Sequence, residues 1–576
     1  MSLFQIRLRW AQIKKSERVV DTKVAYLSTF TINPLEPYLG VLLEDEGLAT
    51  EGLISPYNQV VQECLMEDSV TARFQPNLAV IWPRLEDLWS GKPFPLTDEV
   101  EAYTAEALEM AEQGIDAARR WGATLVFVLP SIPERKGLGV GDANNVNGVY
   151  AVAANVREAL RRRLARNHGV LLVDAEEVVR EFGASRAYND RLYFMARIPY
   201  TEDVFHAVAG RIAKAVQLSC KPARKVIAVD ADNTLWGGVV GEDGIDGVDL
   251  ADNGPGEAYK DFQSYLLELR RTGVLLVVCS KNAEEDVWAV FGRREMRLKR
   301  EHVTASRIGW QPKSESLRQI AEELGLGLSS FIFIDDNPLE IAEVQAALPE
   351  VACIQMPADP TSALRVLQQS GHLDRFPPTT EDLGRAAFYE QESQRRTASS
   401  QVTSVVEYRA GLGIRANVFE PSSLDIARLT QLINKTNQFN LNLRRRTETE
   451  VMELVQDPAY LIRLCQCSDR FGDYGIVGAL IVKREERGGV LDTFVLSCRV
   501  LGRGIEQTMI ASMQKELAAL APASDAGLYA TLEEHPRNEP ARVFFSSIGA
   551  AEISVESRLE LVEHPSYIEL TETAAV

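Results

Sequence analysis

Short apolar runs alternate with amphipathic stretches along most of the chain. Between residues 1 and 220, KVAYLSTF, NLAVIW, TLVFVLP and GVLLVDA have the continuous apolar character of buried strands, and stretches such as EAYTAEALEMAEQGIDAARR separate them with helical spacing. That alternation predicts a parallel sheet flanked by helices. The same logic returns over 221–370, where VIAVDAD, YKDFQSYLLELRRTG, VLLVVCSKN, SESLRQIAEELG and FIFIDDNP follow one another. The last third mixes strands (YGIVGALIVK, LDTFVLSCRVL) with helices (LDIARLTQLINKT, IEQTMIASMQKELAALA), the pattern of a smaller α+β domain. The basic joint SCKPARK and the polar stretch from FPPTTEDL to ASSQ break the composition. The expected organisation is a multidomain α/β chain with domains at 1–220, 221–372 and 404–576 and a helical connector over 373–403.

At 576 residues the chain is too long for one hydrophobic core. A formal charge of −20 argues against a general nucleic-acid binder, because phosphate backbones are held by basic surface. No apolar run has the length of a signal-peptide core or a membrane span. The seven cysteines are odd in number and scattered, which speaks against a secreted disulfide framework and for a reduced cytoplasm. Cys465 and Cys467 read as alternate positions on a strand.

Four segments carry chemistry, three of them where strands end. Asp230-Ala-Asp232-Asn-Thr234 delivers two carboxylates to one side of a strand end, a poor choice for stability alone. Ser280 closes VLLVVCS with a hydroxyl able to hold a phosphate oxygen, a role also open to Thr234. Lys313 opens a helix, where its charge neutralises a transferring phosphoryl group. Asp335 and Asp336 follow FIFI and offer oxygen ligands suited to magnesium. In order and spacing these segments resemble the haloacid dehalogenase superfamily over residues 226 to about 350. The resemblance implies that Asp230 attacks phosphorus, that Asp232 protonates the leaving group and later activates water, and that Asp230, the carbonyl of Asp232, Asp335 and Asp336 hold Mg²⁺. The gaps from Asp230 to Ser280 and from Ser280 to Lys313 leave no room for a full cap domain. An uncapped site suits a macromolecular or carrier-bound substrate, or closure by another domain of the chain.

In the C-terminal third, a strand ending VLSCRVLGRGIE leads into a helix. Arg499-x-x-Gly502-x-Gly504 places backbone N–H groups around that helix's N-terminus, a cradle for a pantetheine phosphate. The segment resembles the coenzyme A loop of GCN5-type acetyltransferases, and the region around Asn538 resembles the closing part of that fold. Cys498 precedes Arg499, and the guanidinium groups of Arg499 and Arg503 with the helix dipole favour its thiolate. Asn434, Thr436, Asn437, Gln438 and Asn440 crowd a helix end as a polar or pantetheine channel, or as a turn with caps. Arg444, Arg445 and Arg446 form the best basic patch for an acidic carrier protein.

Taken together, DADNTLWGGVVGEDG, IDDNP, NKTNQFNLNLRRR, DRFGDYGIVG and SCRVLGRG resemble the FkbH-like proteins over nearly the whole chain. That family resembles enzymes that take D-1,3-bisphosphoglycerate, remove phosphate and leave a glyceryl thioester on an acyl carrier protein in polyketide biosynthesis. The resemblance implies a capless dehalogenase-like domain followed by an acetyltransferase-like one. It also implies Mg²⁺ as cofactor, carrier phosphopantetheine as acceptor and Cys498 as the acyl relay. A stand-alone Mg²⁺-dependent phosphatase and a D-lactyl-loading relative are the alternatives. In the first domain, Ser28 and the pair Asp203 and His206 resemble the SGNH hydrolases in order, but LSTF lacks their Gly-Asp-Ser sequence. A degenerate hydrolase fold serving as scaffold is the expectation there.

Overall fold

The computed structural model describes residues 2–88, 100–134, 138–167, 169–220, 223–379, 382–385, 388–389, 409–436, 438–520, 527–533, 538–550 and 552–573, without the side chains of residues 435, 498 and 573. The chain divides into two compact units, Met1–Lys221 and Pro222–Val576.

In the first unit, strands β1 (Thr22–Ser28), β2 (Thr50–Ile54), β3 (Leu78–Trp82), β4 (Thr124–Leu129) and β5 (Val170–Asp174) form a sheet of order β2-β1-β3-β4-β5. Every pairing is parallel. The central strand β3 is buried along its whole length because helices cover both faces, so it carries apolar residues without alternation. Strand β2, at the edge, is half-buried; its sequence TEGLI carries too little apolar signal to be read as a strand.

The second unit opens with another parallel sheet, built from β6 (Val226–Val229), β7 (Leu275–Ser280), β8 (Val303–Ile308), β9 (Phe331–Asp335) and β10 (Ala352–Gln355) in the order β10-β9-β6-β7-β8. The chain runs outward from β6 through β7 to β8, then returns to β9 on the other side of β6. The order therefore reverses between β6 and β9, and a crevice opens there at the carboxyl ends of the strands. The segments after β6 and β7 each hold one main helix, Gly254–Arg271 and Glu284–Phe291, beside a single short turn of helix, and among the described residues they form no separate cap domain.

A seven-stranded sheet completes the unit: β11 (Ile414–Phe419), β12 (Tyr460–Asp469), β13 (Gly472–Glu485), β14 (Gly488–Leu496), β15 (Gly527–Thr531), β16 (Glu556–Arg558) and β17 (Ile568–Thr573), ordered β16-β15-β14-β13-β12-β11-β17. It is mostly antiparallel, with β14–β15 and β11–β17 parallel. Cys465 and Cys467 occupy alternate positions of β12, both buried. Much of the expected helical connector lies outside the described residues. Within it, Tyr389 joins the core beside β6 and β9, and Phe388 meets the Tyr474 ring edge-on at 5.8 Å. Among the described residues, no helix is long and apolar enough to cross a membrane.

Candidate active site

The crevice at the carboxyl ends of β6, β7 and β9 holds a cavity of about 360 Å³, lined among others by Asp230, Asp232, Ser280, Lys281, Asn282, Lys313, Asp335, Asp336 and Glu340. Asp230 directly follows β6, and Asp335 ends the neighbouring strand β9. Together with Asp336 they present carboxylate oxygens that all lie within 4.8 Å of one another.

Lys313, the first residue of the helix Lys313–Leu324, is buried between them. Its Nζ lies 2.9 Å from Asp230 Oδ1 and contacts Asp335 Oδ2. The Lys313 ammonium is thus paired with the buried Asp230 Oδ1, and no hydrogen bond of regular geometry reaches that oxygen from the other described residues. Asp335 Oδ1 accepts from the Asn337 backbone N–H at 2.9 Å. Burial first, and the Asp230 charge second, push the Asp335 carboxyl up to about 7, against the pull of Lys313. Burial alone would lower the Lys313 pKa, but the two carboxylates reverse this and raise it. Burial and the Asp230 charge also raise Asp336.

These residues fit a hard divalent cation. Three carboxylates converge, a single lysine is shared between two of them, and all the side-chain donors are oxygen, the ligand set that magnesium takes.

Asp232 stands apart from that cluster. Its Oδ1 accepts from Trp236 Nε1 (2.9 Å) and from the Val240 backbone N–H (3.1 Å), and its Oδ2 accepts from Asn282 Nδ2 (2.9 Å). The turn that presents it is closed by Asn233, which sits at φ 50, a conformation asparagine tolerates better than most residues. Asn233 Oδ1 accepts from the Gly238 N–H at 3.0 Å. Asn282 Nδ2 also donates to Ser280 Oγ at 3.1 Å, tying the acid to the hydroxyl at the end of β7.

One phosphate-site expectation needs correction. Thr234 is fully buried in the turn, its N–H bonded to the Ala231 carbonyl, and it does not line the cavity. Asn282, Lys281 and Glu340 do line it and escaped the sequence reading. Their only signal was polar residues placed just past two apolar strands, in SKN and DNPLE.

The C-terminal loop behaves differently. Gly502 and Gly504 have the positive φ values of 72 and 93 that glycine allows, but their N–H groups are taken. Glu506, second residue of the helix Ile505–Leu520, accepts from Gly502 N at 2.6 Å and Gly504 N at 3.2 Å. A Cβ on Gly504 would meet Tyr567 Oη at 2.6 Å, so close packing already accounts for that glycine. Arg499 Nε donates to Ser497 Oγ at 3.1 Å, and Arg503 contacts Tyr474 Oη. The phosphate cradle expected at Arg499, Gly502 and Gly504 is thus filled by the protein's own groups.

The amide cluster is likewise internal. The segment Phe439–Leu441 lies against the end of β14: Leu441 N donates to Phe494 O, and Leu496 N donates to Phe439 O, both at 3.1 Å. Asn440 Oδ1 accepts from Leu443 N, and its Nδ2 donates to Thr436 O. Asn538 is buried and donates to the Glu533 and Asn440 carbonyls. Asn434 exchanges hydrogen bonds with the Arg446 backbone. These amides tie turns together, whereas Gln438 is exposed. Asn437 lies outside the described residues, as does the Cys498 side chain; the Cys498 backbone begins a one-turn 3₁₀ helix after β14. The basic patch at 444–446 is also mostly spent. Arg446 is buried against Asp492, and Arg445 donates to the Ile433 and Asn434 carbonyls at a helix end.

In the first unit, the Ser28 hydroxyl donates to Trp82 O at 2.7 Å and accepts from Phe30 N, while His206 packs edge-on against Tyr38 at 5.4 Å. Among the described residues no hydrogen bond joins Ser28, Asp203 and His206.

No family model and no curated protein matches the chain. The structure is similar to the N-terminal part of a Bacteroides fragilis protein that contains a phosphatase domain and was solved in complex with Mg. The two are 22% identical, with 66% of this chain and 99% of that one covered at a TM-score of 0.57. At that identity the likeness concerns the fold. An acetylxylan esterase from Geobacillus stearothermophilus (12% identical, 35% of this chain and 95% of that one, TM-score 0.24) is matched too weakly to carry weight. The same holds for a fungal multi-domain β-N-acetylglucosaminidase with a GCN5-related acetyltransferase region (12%, 90% and 60%, TM-score 0.16).

Proposed function

We propose that this chain is a Mg²⁺-dependent phosphatase of the haloacid dehalogenase type, with Asp230 as nucleophile. The observation that carries the reading is the convergence of Asp230, Asp335 and Asp336, with the buried Lys313 between the first two, at the strand-order reversal. Asp230, Asp335 and Asp336 would hold the ion, which supplies charge neutralisation for the phosphoryl group when bound. The Asp230 carboxylate attacks phosphorus, the P–O bond to the leaving group breaks, and Asp232 gives that oxygen its proton. Oδ2 suits this step, because Asn282 is its only partner while Oδ1 takes two donors. Asp232 then takes a proton from the water that hydrolyses the aspartyl phosphate. Lys313 balances the charge gathered around the transferring group. The test is phosphate release from acetyl phosphate with and without Mg²⁺; metal-independent release would refute it.

The finer reading is that the phosphorylated group is the glyceryl unit of 1,3-bisphosphoglycerate, left as a thioester on an acyl carrier protein. The motifs shared with the FkbH-like proteins support it, as does an uncapped mouth beside which Trp310 and Leu339 stand 78% and 76% exposed, after β8 and β9. Intact-mass analysis of a phosphopantetheinylated carrier incubated with the protein, Mg²⁺ and 1,3-bisphosphoglycerate tests it. With Cys498 as the relay, Cys498→Ala abolishes loading. The Glu506 carboxylate on the Gly502 and Gly504 amides favours the second reading, a phosphatase without acyl transfer, in which the carrier gains no mass.

A further inference from the structure

Five carboxylates line the phosphoryl cavity, Asp230, Asp232, Asp335, Asp336 and Glu340, against only two lysines. Lys313 is buried and already shared between Asp230 and Asp335, so it has little left for an incoming phosphate. Lys281 is different. It follows β7, its side chain is 36% exposed, and its Nζ lies 2.6 Å from Glu340 Oε1.

Glu340 belongs to the first turn of the helix Pro338–Ala347, which follows β9. Because β9 and β7 flank β6, this ion pair runs from the strand on one side of the nucleophile's strand to the strand on the other. The span is two strand spacings, about 10 Å. The pair is also imperfect on the acidic side. Glu340 is 15% exposed, and its second oxygen, Oε2, is buried with no partner. A carboxylate left half-satisfied in this way holds its lysine less firmly than a bidentate or doubly hydrogen-bonded partner would.

The geometry points to Lys281 as a second phosphate-binding cation, held in reserve by Glu340 when the cavity is empty and transferred to the phosphoryl oxygens when substrate enters. This rests on the phosphatase reading and adds to it a residue outside the four motif segments, together with a competition between an internal carboxylate and the substrate for one ammonium group. Lysine suits the task, since a compact charge on a flexible four-carbon stem can change partners without the fixed fork that arginine would impose.

The competition makes the two ends of the pair respond in opposite directions. Binding of inorganic phosphate to the full chain in the presence of Mg²⁺ is measured by calorimetry, with circular dichroism to show that each variant folds. Lys281→Met weakens phosphate binding about ten- to a hundredfold, the loss of one charge-assisted contact, and Lys281→Arg recovers part of it. Glu340→Gln keeps the side-chain shape but releases the lysine, and tightens phosphate binding several-fold; the double variant behaves as Lys281→Met. Weakening by both single variants would mean that the pair only braces the fold, and the inference would be wrong. So would unchanged phosphate binding in Lys281→Met while Asp230-dependent phosphate release persists, an outcome that leaves the phosphatase reading standing. Absence of any phosphate binding by the wild-type protein with Mg²⁺ would overturn both.

Discussion

The second unit contains two places where backbone and side chains gather around a helix N-terminus after a strand, and they are built to opposite ends. At β6, β7 and β9 the polar groups are left partly unsatisfied: Glu340 Oε2 is buried without a partner among the described residues, and Asp230 and Asp335 share one lysine. At the end of β14 most of the equivalent groups are consumed, with Glu506 seated on the two glycine amides and Asn440 and Asn538 spent on neighbouring carbonyls, while Gln507 Oε1 stays buried without a partner among the described residues. Buried polar groups without partners cost stability, so a cluster of them around one cavity asks for a ligand to complete it. That contrast favours the first place as the site we propose and the second as a loop closed mainly by its own groups. Similar motif quality in the sequence concealed opposite chemistry.

The comparison breaks most visibly if the nucleophile is removed. Asp230→Asn is nearly isosteric but cannot form an aspartyl phosphate, and it should abolish phosphate release while circular dichroism stays that of the wild type. Asp232→Asn should lower turnover by about 10²–10⁴, the usual worth of a positioned acid–base group. Asn282→Ala, which only loosens that acid, should cost roughly tenfold in kcat with KM little changed. An Asn282→Ala effect equal to that of Asp232→Asn would mean that the amide itself touches the substrate.

The same contrast explains what could be read from the sequence. Asp230, Lys313, Asp335 and Asp336 were legible because a buried strand ending in charge has few structural uses, and the fold brings them together. Strands β3, β6, β7 and β9 were legible because burial on both faces demands unbroken apolar runs. Edge strands β2 and β8 were not, since half-exposed positions in TEGLI and VTASRI carry no such demand. Lys281 and Glu340 depend on β7 and β9 flanking β6, a fact of topology that no local pattern encodes. Of the arginines read as one basic patch, Arg444 and Arg445 are exposed and Arg446 is buried against Asp492, a partner too far off in sequence for any local pattern to show.

Glu506 offers the next sharpening. Glu506→Ala leaves the buried Gly504 amide without its acceptor and the exposed Gly502 amide to water, and should cost about 1–2 kcal/mol of stability. Chemical denaturation reads that loss, and phosphate release should be unchanged. Should Glu506→Ala instead keep full stability and gain affinity for coenzyme A, the carboxylate is a displaceable plug and the second place is a site after all.

The smallest expected effect lies in the first unit, where His206 stands against the Tyr38 ring with no hydrogen bond to Ser28 or Asp203. Burial lowers its pKa below the ordinary histidine value, while Asp203 pulls the other way. A histidine whose folded pKa is depressed binds fewer protons in the folded state than in the unfolded one. Its contribution to stability is therefore present above the unfolded value of about 6.5 and is lost as the pH falls below it. Thermal melts at about pH 7.5 and pH 5.5 should show the wild type losing a little more stability on acidification than His206→Phe, which fills the same space and cannot take up a proton. A triad histidine would behave otherwise: a carboxylate partner would raise its pKa, and acidification would then favour the folded wild type relative to the phenylalanine variant. A difference of that opposite sign would revive the hydrolase resemblance, and the expected sign argues against His206 as a catalytic histidine.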